Sequence, residues 1–126
     1  MKFEQNNPFD RQSFLGENSQ DIIQRAVIGV AGLGGGGSHI CQQLAHLGFL
    51  NYVLFDGDAI EETNLNRLVG GTQQDVDDNV AKTEIARRSI MAVRPNARVQ
   101  TVDDVWQNVS EALEQCDIVF GCVDGF

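Results

Sequence analysis

The sequence predicts an α/β chain with a Rossmann-like, doubly wound parallel sheet, truncated after about the fourth strand. Three observations carry that expectation. An apolar run, Val27-Ile-Gly-Val-Ala31, leads directly into glycines at 32, 34, 35, 36 and 37 and then into the helical stretch His39–Leu47. Strand-like and helix-like stretches alternate from there onward, and such alternation builds a parallel sheet with helices on its faces. The last residue, Phe126, follows a strand end, where open α/β sheets bind their ligands. The chain therefore reads as part of a longer protein.

Each element has its own signal. Residues 1–20 are a polar N-terminal arm carrying Arg11, and residues 21–126 are the sheet-forming part. Asp21 to Arg25 reads as the end of a short helix before the first strand, at about 26–31. The first long helix ends at Leu47, because Gly48 suits the left-handed residue that closes a helix. Asn51–Asp56 is the second strand, bounded by Gly57. The polar stretch from Asp58 to Asn79, with Gly70-Gly71 inside it, reads as a long functional or mobile loop. Val80–Val93 is a helix with Ala81, Ile85, Ala86, Ile90 and Val93 on one face, and Arg94-Pro95-Asn96 ends it. Arg98–Val102 is the third strand, Trp106–Gln115 a helix, and Asp117–Cys122 the fourth strand.

Composition narrows the class. The 126 residues suffice for one domain or part of one. No apolar run approaches the roughly 20 residues a membrane span needs, and the N-terminus lacks a signal-peptide core. A cytoplasmic protein with no membrane association is expected. Eighteen acidic against nine basic residues give a net charge of −9, which argues against binding to a nucleic-acid backbone and suits a neutral or basic protein partner. Cys41, Cys116 and Cys122 show no C-x-x-C spacing, so neither a disulfide framework nor a complete zinc site is expected.

The glycine stretch is an anion site in outline. A strand, a turn without side chains and a helix N-terminus let backbone N–H groups approach a phosphate, and the helix dipole favours its charge. Gly32-x-Gly34-x-x-Gly37 is a common dinucleotide pattern, and Asp56, 19 residues after Gly37, suits the acid that holds ribose hydroxyls. A ligand-free tight turn would not need five glycines in six positions. These features do not separate NAD from ATP. The segment from Asp56 to Arg67 does, because it adds Asp58, Asn64, Asn66 and Arg67. A hydride-transfer domain has no need of that set, whereas a triphosphate site does. Arg67 can pair bidentately with phosphate oxygens, and Asn64 or Asn66 can hydrogen-bond phosphate or orient the arginine. Any one of these residues alone would pass as solvated surface.

Taken in order, Arg11-Gln12, Gly32-Leu-Gly-Gly-Gly-Gly37, Asp56-Gly-Asp58, Thr63-Asn-Leu-Asn-Arg67, Lys82 and Cys122-Val-Asp124 resemble the adenylating domain of the ThiF/MoeB/HesA superfamily, which includes the ubiquitin-activating enzymes. The resemblance runs from Arg11 to the chain's last residues. It implies binding of ATP with Mg²⁺ and adenylation of the C-terminal carboxylate of a ubiquitin-like or sulfur-carrier protein, with release of pyrophosphate. By position, Asp56 would hold the ribose, while Asn66, Arg67 and Lys82 would hold phosphates beside Gly32, Gly34, Gly35 and Gly37. Arg11 would reach the ATP of the neighbouring subunit in a homodimer, and Asp124 would act as the metal ligand. Arg11, Arg67 and Asp124 are thus the implied catalytic residues. Zinc, which many members hold through C-x-x-C pairs in their second half, has no ligands in this part.

Three positions depart from the family pattern. Gly36 replaces a larger apolar residue common in members, Leu68 a common glutamine after the arginine, and Gly125 the usual asparagine after the aspartate. Other readings are a small-molecule or tRNA-base carboxylate as acceptor, as in cyclic-threonylcarbamoyladenosine formation, a non-catalytic nucleotide-binding scaffold, and an NAD-dependent oxidoreductase. The three cysteines and Trp106 read as packing, and Asp103-Asp104 as a loop or cap. His39 could approach a phosphate from the helix start, and His46 reads as surface.

Overall fold

The four strands pair side by side, all parallel, in the order β3-β2-β1-β4, where β1 is Val27–Ala31, β2 Asn51–Phe55, β3 Arg98–Val102 and β4 Ile118–Gly121. The computed structural model describes residues 19–104 and 110–122. Between the strands lie α1 (Ser19–Arg25), α2 (Gly35–Leu47), α3 (Gln73–Asp77), α4 (Lys82–Val93) and α5 (Ser110–Glu114), with a 3₁₀ turn at Glu62–Asn64. Val27 stands beside Asn51 and Ala31 beside Phe55, while Ile28 to Ala31 pair with Ile118 to Gly121 on the other side. The strand order steps outward from β1 to β3 and then returns to the opposite side of β1. That reversal creates a crevice at the carboxyl ends of β1 and β4.

The two central strands have four of five residues buried, as expected for parallel strands covered on both faces. Ile28, Val30, Tyr52 and Leu54 meet Cys41, Leu44 and Ala45 of α2 and Ala86 and Ile90 of α4. On the other face, Ala31, Val53 and Phe55 pack with Ala112 and Leu113 of α5. The edge strand β4 is less covered: Ile118 and Val119 are 48% and 45% exposed. Gly48 closes α2 with φ +112, and its N–H donates to Leu44 and Ala45, while Arg94 donates to the carbonyls of Ala45 and His46.

Two boundaries shift from the sequence reading. The helix expected from His39 begins at Gly35, so three glycines form its first turn. The helix expected from Val80 begins at Lys82, because Val80 and Ala81 are drawn into pairing with Ile60 and Ala59. The stretch from Asp58 to Asn79 is also more ordered than its polarity suggests. Ile60, Leu68 and Ile85 form a small core of their own, joined by Leu65, Val76 and Val80. Thr72 and Asp75 cap α3 reciprocally, and Arg88 clamps Asp75 with hydrogen bonds of 2.9 and 2.6 Å. That clamp holds the Asp75 carboxyl down at about 2. No described helix is long and apolar enough to cross a membrane.

Candidate functional site

The site is built where β1 turns into α2. Gly32 has φ +94, a conformation that other residues rarely adopt. A Cβ on Gly37 would lie 1.8 Å from the Gly32 carbonyl oxygen, so only glycine lets the helix start this close to the strand end. A Cβ on Gly34 or Gly36 would meet nothing within 4 Å. A Cβ at 36, where the resemblance leads one to expect a larger apolar residue, would therefore meet no obstacle. Among the described residues no side chain caps α2, whose thirteen residues begin with the glycines. Its first N–H groups are thus left for a ligand or solvent.

Asp56, at the end of β2, holds this loop. Its carboxylate accepts the Leu33 N–H at 2.7 Å through one oxygen and the Asp58 N–H at 2.8 Å through the other. Each oxygen keeps a further lone pair for a ligand hydroxyl. Asp58 in turn accepts the Lys82 N–H at 3.0 Å through its carbonyl, which ties the first residue of α4 to the turn after β2. Beside that contact, the Thr83 hydroxyl donates to the Asp103 carboxylate, joining α4 to the end of β3.

The next turn delivers Arg67. Asn64 is 7% exposed, and its side-chain oxygen accepts the Glu61 N–H at 2.9 Å. Its backbone carbonyl accepts the N–H groups of Arg67 and Leu68. Asn64 is used to shape the turn, whereas Asn66 stands exposed beside Arg67. The arginine stem lies over the glycine loop: a Cβ on Gly35 would be 3.2 Å from Arg67 Cδ. Among the described residues the ion pairs are Arg87–Glu84 and Arg88–Asp75, and neither Arg67 nor Lys82 joins one. A guanidinium with no ion pair among the described residues therefore sits beside a helix N-terminus that no described side chain caps. That arrangement suits an anion such as a phosphate chain.

The structure thus brings Gly32, Gly34, Gly35, Gly37, Asp56 and Arg67 together and ties Asp58 and Lys82 to them through the backbone. Arg11, Trp106, Asp124 and Gly125 lie outside the described residues. No cluster of three or more His, Cys, Asp or Glu among the described residues could hold a metal ion. Burial pushes the Cys41 thiol up to about 12 and also raises Cys116 and Cys122, as suits packed cysteines. His39 and His46 are both exposed on α2. Shallow cavities of about 540 and 330 Å³ lie at the opposite, N-terminal ends of the strands, lined by Arg98 and Asn51 among others.

One residue at this site escaped the sequence reading. Ser38 is 3% exposed; its hydroxyl donates to the Gly35 carbonyl at 2.9 Å and accepts the Val69 N–H at 3.1 Å. A serine one turn into a glycine-started helix carries no signal of a partner 31 residues away.

Comparison with known proteins supplies the context. Residues 9–126 match the ThiF family. Ubiquitin-like modifier-activating enzyme 5 of Caenorhabditis elegans is 28% identical over 95% of this chain and 32% of its own length. The structure of E. coli tRNA N6-threonylcarbamoyladenosine dehydratase, TcdA, in complex with AMP superposes with a TM-score of 0.81 at 29% identity, covering 93% of this chain and 48% of that one. The same protein in complex with ATP gives 0.77 at 32% identity, covering 93% and 49%. E. coli MccB with MccA gives 0.77 at 29% identity, covering 96% and 38%. The chain therefore spans about a third of that curated relative and less than half of these solved chains.

Proposed function

The chain belongs to the ThiF family, and from that premise we propose that it is the nucleotide-binding part of an enzyme that adenylates a carboxylate with ATP. The observation that carries this reading is Arg67, a cation without an ion pair among the described residues, laid across Gly35 at an uncapped helix start. A triphosphate carries more charge to be met at this loop than the pyrophosphate of a dinucleotide does. Structural relatives captured with AMP and ATP support the same choice of nucleotide.

In this reading the open glycine turn and α2 receive the phosphates, with Asn66, Arg67 and Lys82 around them, and Asp56 accepts the ribose hydroxyls. A carboxylate oxygen of the acceptor attacks the α-phosphorus of ATP. The bond to the β-phosphate bridging oxygen breaks, giving an acyl-adenylate and pyrophosphate. The nucleophile is already an anion, so no general base is needed. The barrier comes from bringing anions together and from charge growing on pyrophosphate, and Arg67 and Lys82 answer both. By the family resemblance Arg11 would reach in from the partner of a homodimer, and Asp124 would hold a Mg²⁺ that would supply neutralisation of phosphate charge. For the acceptor we infer the C-terminal carboxylate of a ubiquitin-like or sulfur-carrier protein. The modifier-activating relatives support a protein acceptor.

The test is ligand choice followed by turnover. Mg-ATP should raise the melting temperature of the full-length protein and NAD should not, since a ligand stabilises only by binding the native state. Pyrophosphate exchange into ATP should then depend on the acceptor protein. A shift selective for NAD would overturn the reading.

A further inference from the structure

We propose that the Ser38 hydroxyl is a positioning group for Arg67, fixing the arginine turn onto the first turn of the phosphate-loop helix. The effect on turnover rests on the adenylation reading; the anchoring itself does not.

Arg67 sits in a short turn that is held at both ends. Before it, the Asn64 carbonyl accepts the N–H groups of Arg67 and Leu68 at 3.0 and 2.9 Å. After it, the Val69 N–H donates to Ser38 Oγ at 3.1 Å. The same hydroxyl donates to the carbonyl of Gly35, the residue over which the arginine stem lies. A single oxygen therefore joins the glycine under Arg67 to the backbone two residues beyond it. Ser38 is nearly inaccessible, so water cannot readily replace the bond. Alanine at this position would leave the Val69 N–H without its acceptor. It would also remove one tie on the segment that sets the distance between guanidinium and helix N-terminus, leaving the packing of Leu68 and the Ser89–Val69 hydrogen bond as the others. Catalytic charges are sensitive to such displacement, while simple ground-state binding is less so.

The experiment is a double-mutant cycle on the full-length protein, read by ATP–pyrophosphate exchange and by hydrogen exchange at the Val69 amide. Ser38→Ala should lower kcat about tenfold and leave the KM for ATP within about twofold. In an Arg67→Ala background the same substitution should change kcat less than about twofold, because residues acting as one unit are not additive. The Val69 amide should exchange about tenfold faster in Ser38→Ala, with β1 amides unchanged, which also shows that the variant is folded. Multiplying effects of the two substitutions, or an equally protected Val69 amide, would overturn the proposal. Absence of exchange in the wild-type protein with a ubiquitin-like or sulfur-carrier acceptor present would defeat the adenylation reading alone, and the Val69 amide would then decide the role of Ser38.

Discussion

Gly37 stands so close to Gly32 that a Cβ on it would lie 1.8 Å from the Gly32 carbonyl oxygen. The obstacle is backbone, which cannot turn aside as a side chain can. Gly37→Ala should therefore cost at least about 3 kcal/mol, the upper end of ordinary overpacking. Gly36→Ala meets nothing within 4 Å on the same helical turn. It should stabilise by about 0.5–1 kcal/mol, through the lower backbone entropy of the unfolded chain. Urea unfolding of both variants checks the contrast, and similar midpoints would contradict it.

Asp56 has a structural duty as well as a proposed ligand. Its two carboxylate oxygens accept the Leu33 and Asp58 N–H groups. Asp56→Asn leaves one acceptor and points an amide N–H₂ at a backbone donor. It should lose about 1–3 kcal/mol in the free protein, the cost of an unsatisfied partner. The thermal shift given by Mg-ATP should shrink in addition. A full ATP shift in the variant would separate Asp56 from the ribose.

What the sequence made legible and what it did not divide along the range of the contacts. The strands and the glycine turn were readable because apolar runs and glycine spacing are local signals. Reading Gly35 to Gly37 as loop followed from glycine's poor helix propensity, which the close approach of Gly37 to Gly32 overrides. The segment from Asp58 to Asn79 looked like a loop because its order comes from distant partners. Arg88 clamps Asp75 from thirteen residues away, and Ser38 holds Val69 from thirty-one. Asn66 and Arg67 could be singled out by residue type. That the Arg67 stem would rest on Gly35, or that Asn64 would serve as a turn former, has no local signature.

The Arg88–Asp75 clamp makes an acid-side prediction. Asp75 titrates at about 2 in the folded chain, below its ordinary value of 3.8, because Arg88 hydrogen-bonds the charged form. A depressed folded value stabilises above the unfolded one, so this contribution is complete above about pH 4 and is lost as pH falls towards 2. Its size is about 1–2 kcal/mol, reduced by screening because 43% of the Arg88 side chain is exposed. Arg88→Met should lower neutral-pH stability by about that amount and flatten the loss between pH 4 and pH 2. Parallel acid profiles for the two proteins would rule the clamp out as a source of acid sensitivity.

Arg67 offers the strongest test of the chemistry. Its guanidinium has no ion pair among the described residues, and its stem is held against Gly35, so its removal should leave the core and the sheet intact. The charge it answers is small in bound ATP and grows as pyrophosphate departs. Arg67→Ala should therefore slow ATP–pyrophosphate exchange by on the order of 10²–10³, as removal of one preorganised stabilising donor does elsewhere. ATP affinity, read by calorimetry, should fall far less, because interactions that strengthen in the transition state act on rate more than on ground-state binding. Arg67→Lys should recover only part of the loss, since an ammonium cannot reproduce the two-pronged contact of a guanidinium with phosphate oxygens. An Arg67→Ala enzyme that binds ATP poorly but turns over normally at saturation would assign the arginine to simple recognition. The developing charge would then have to be met by Lys82 or by groups outside the described residues.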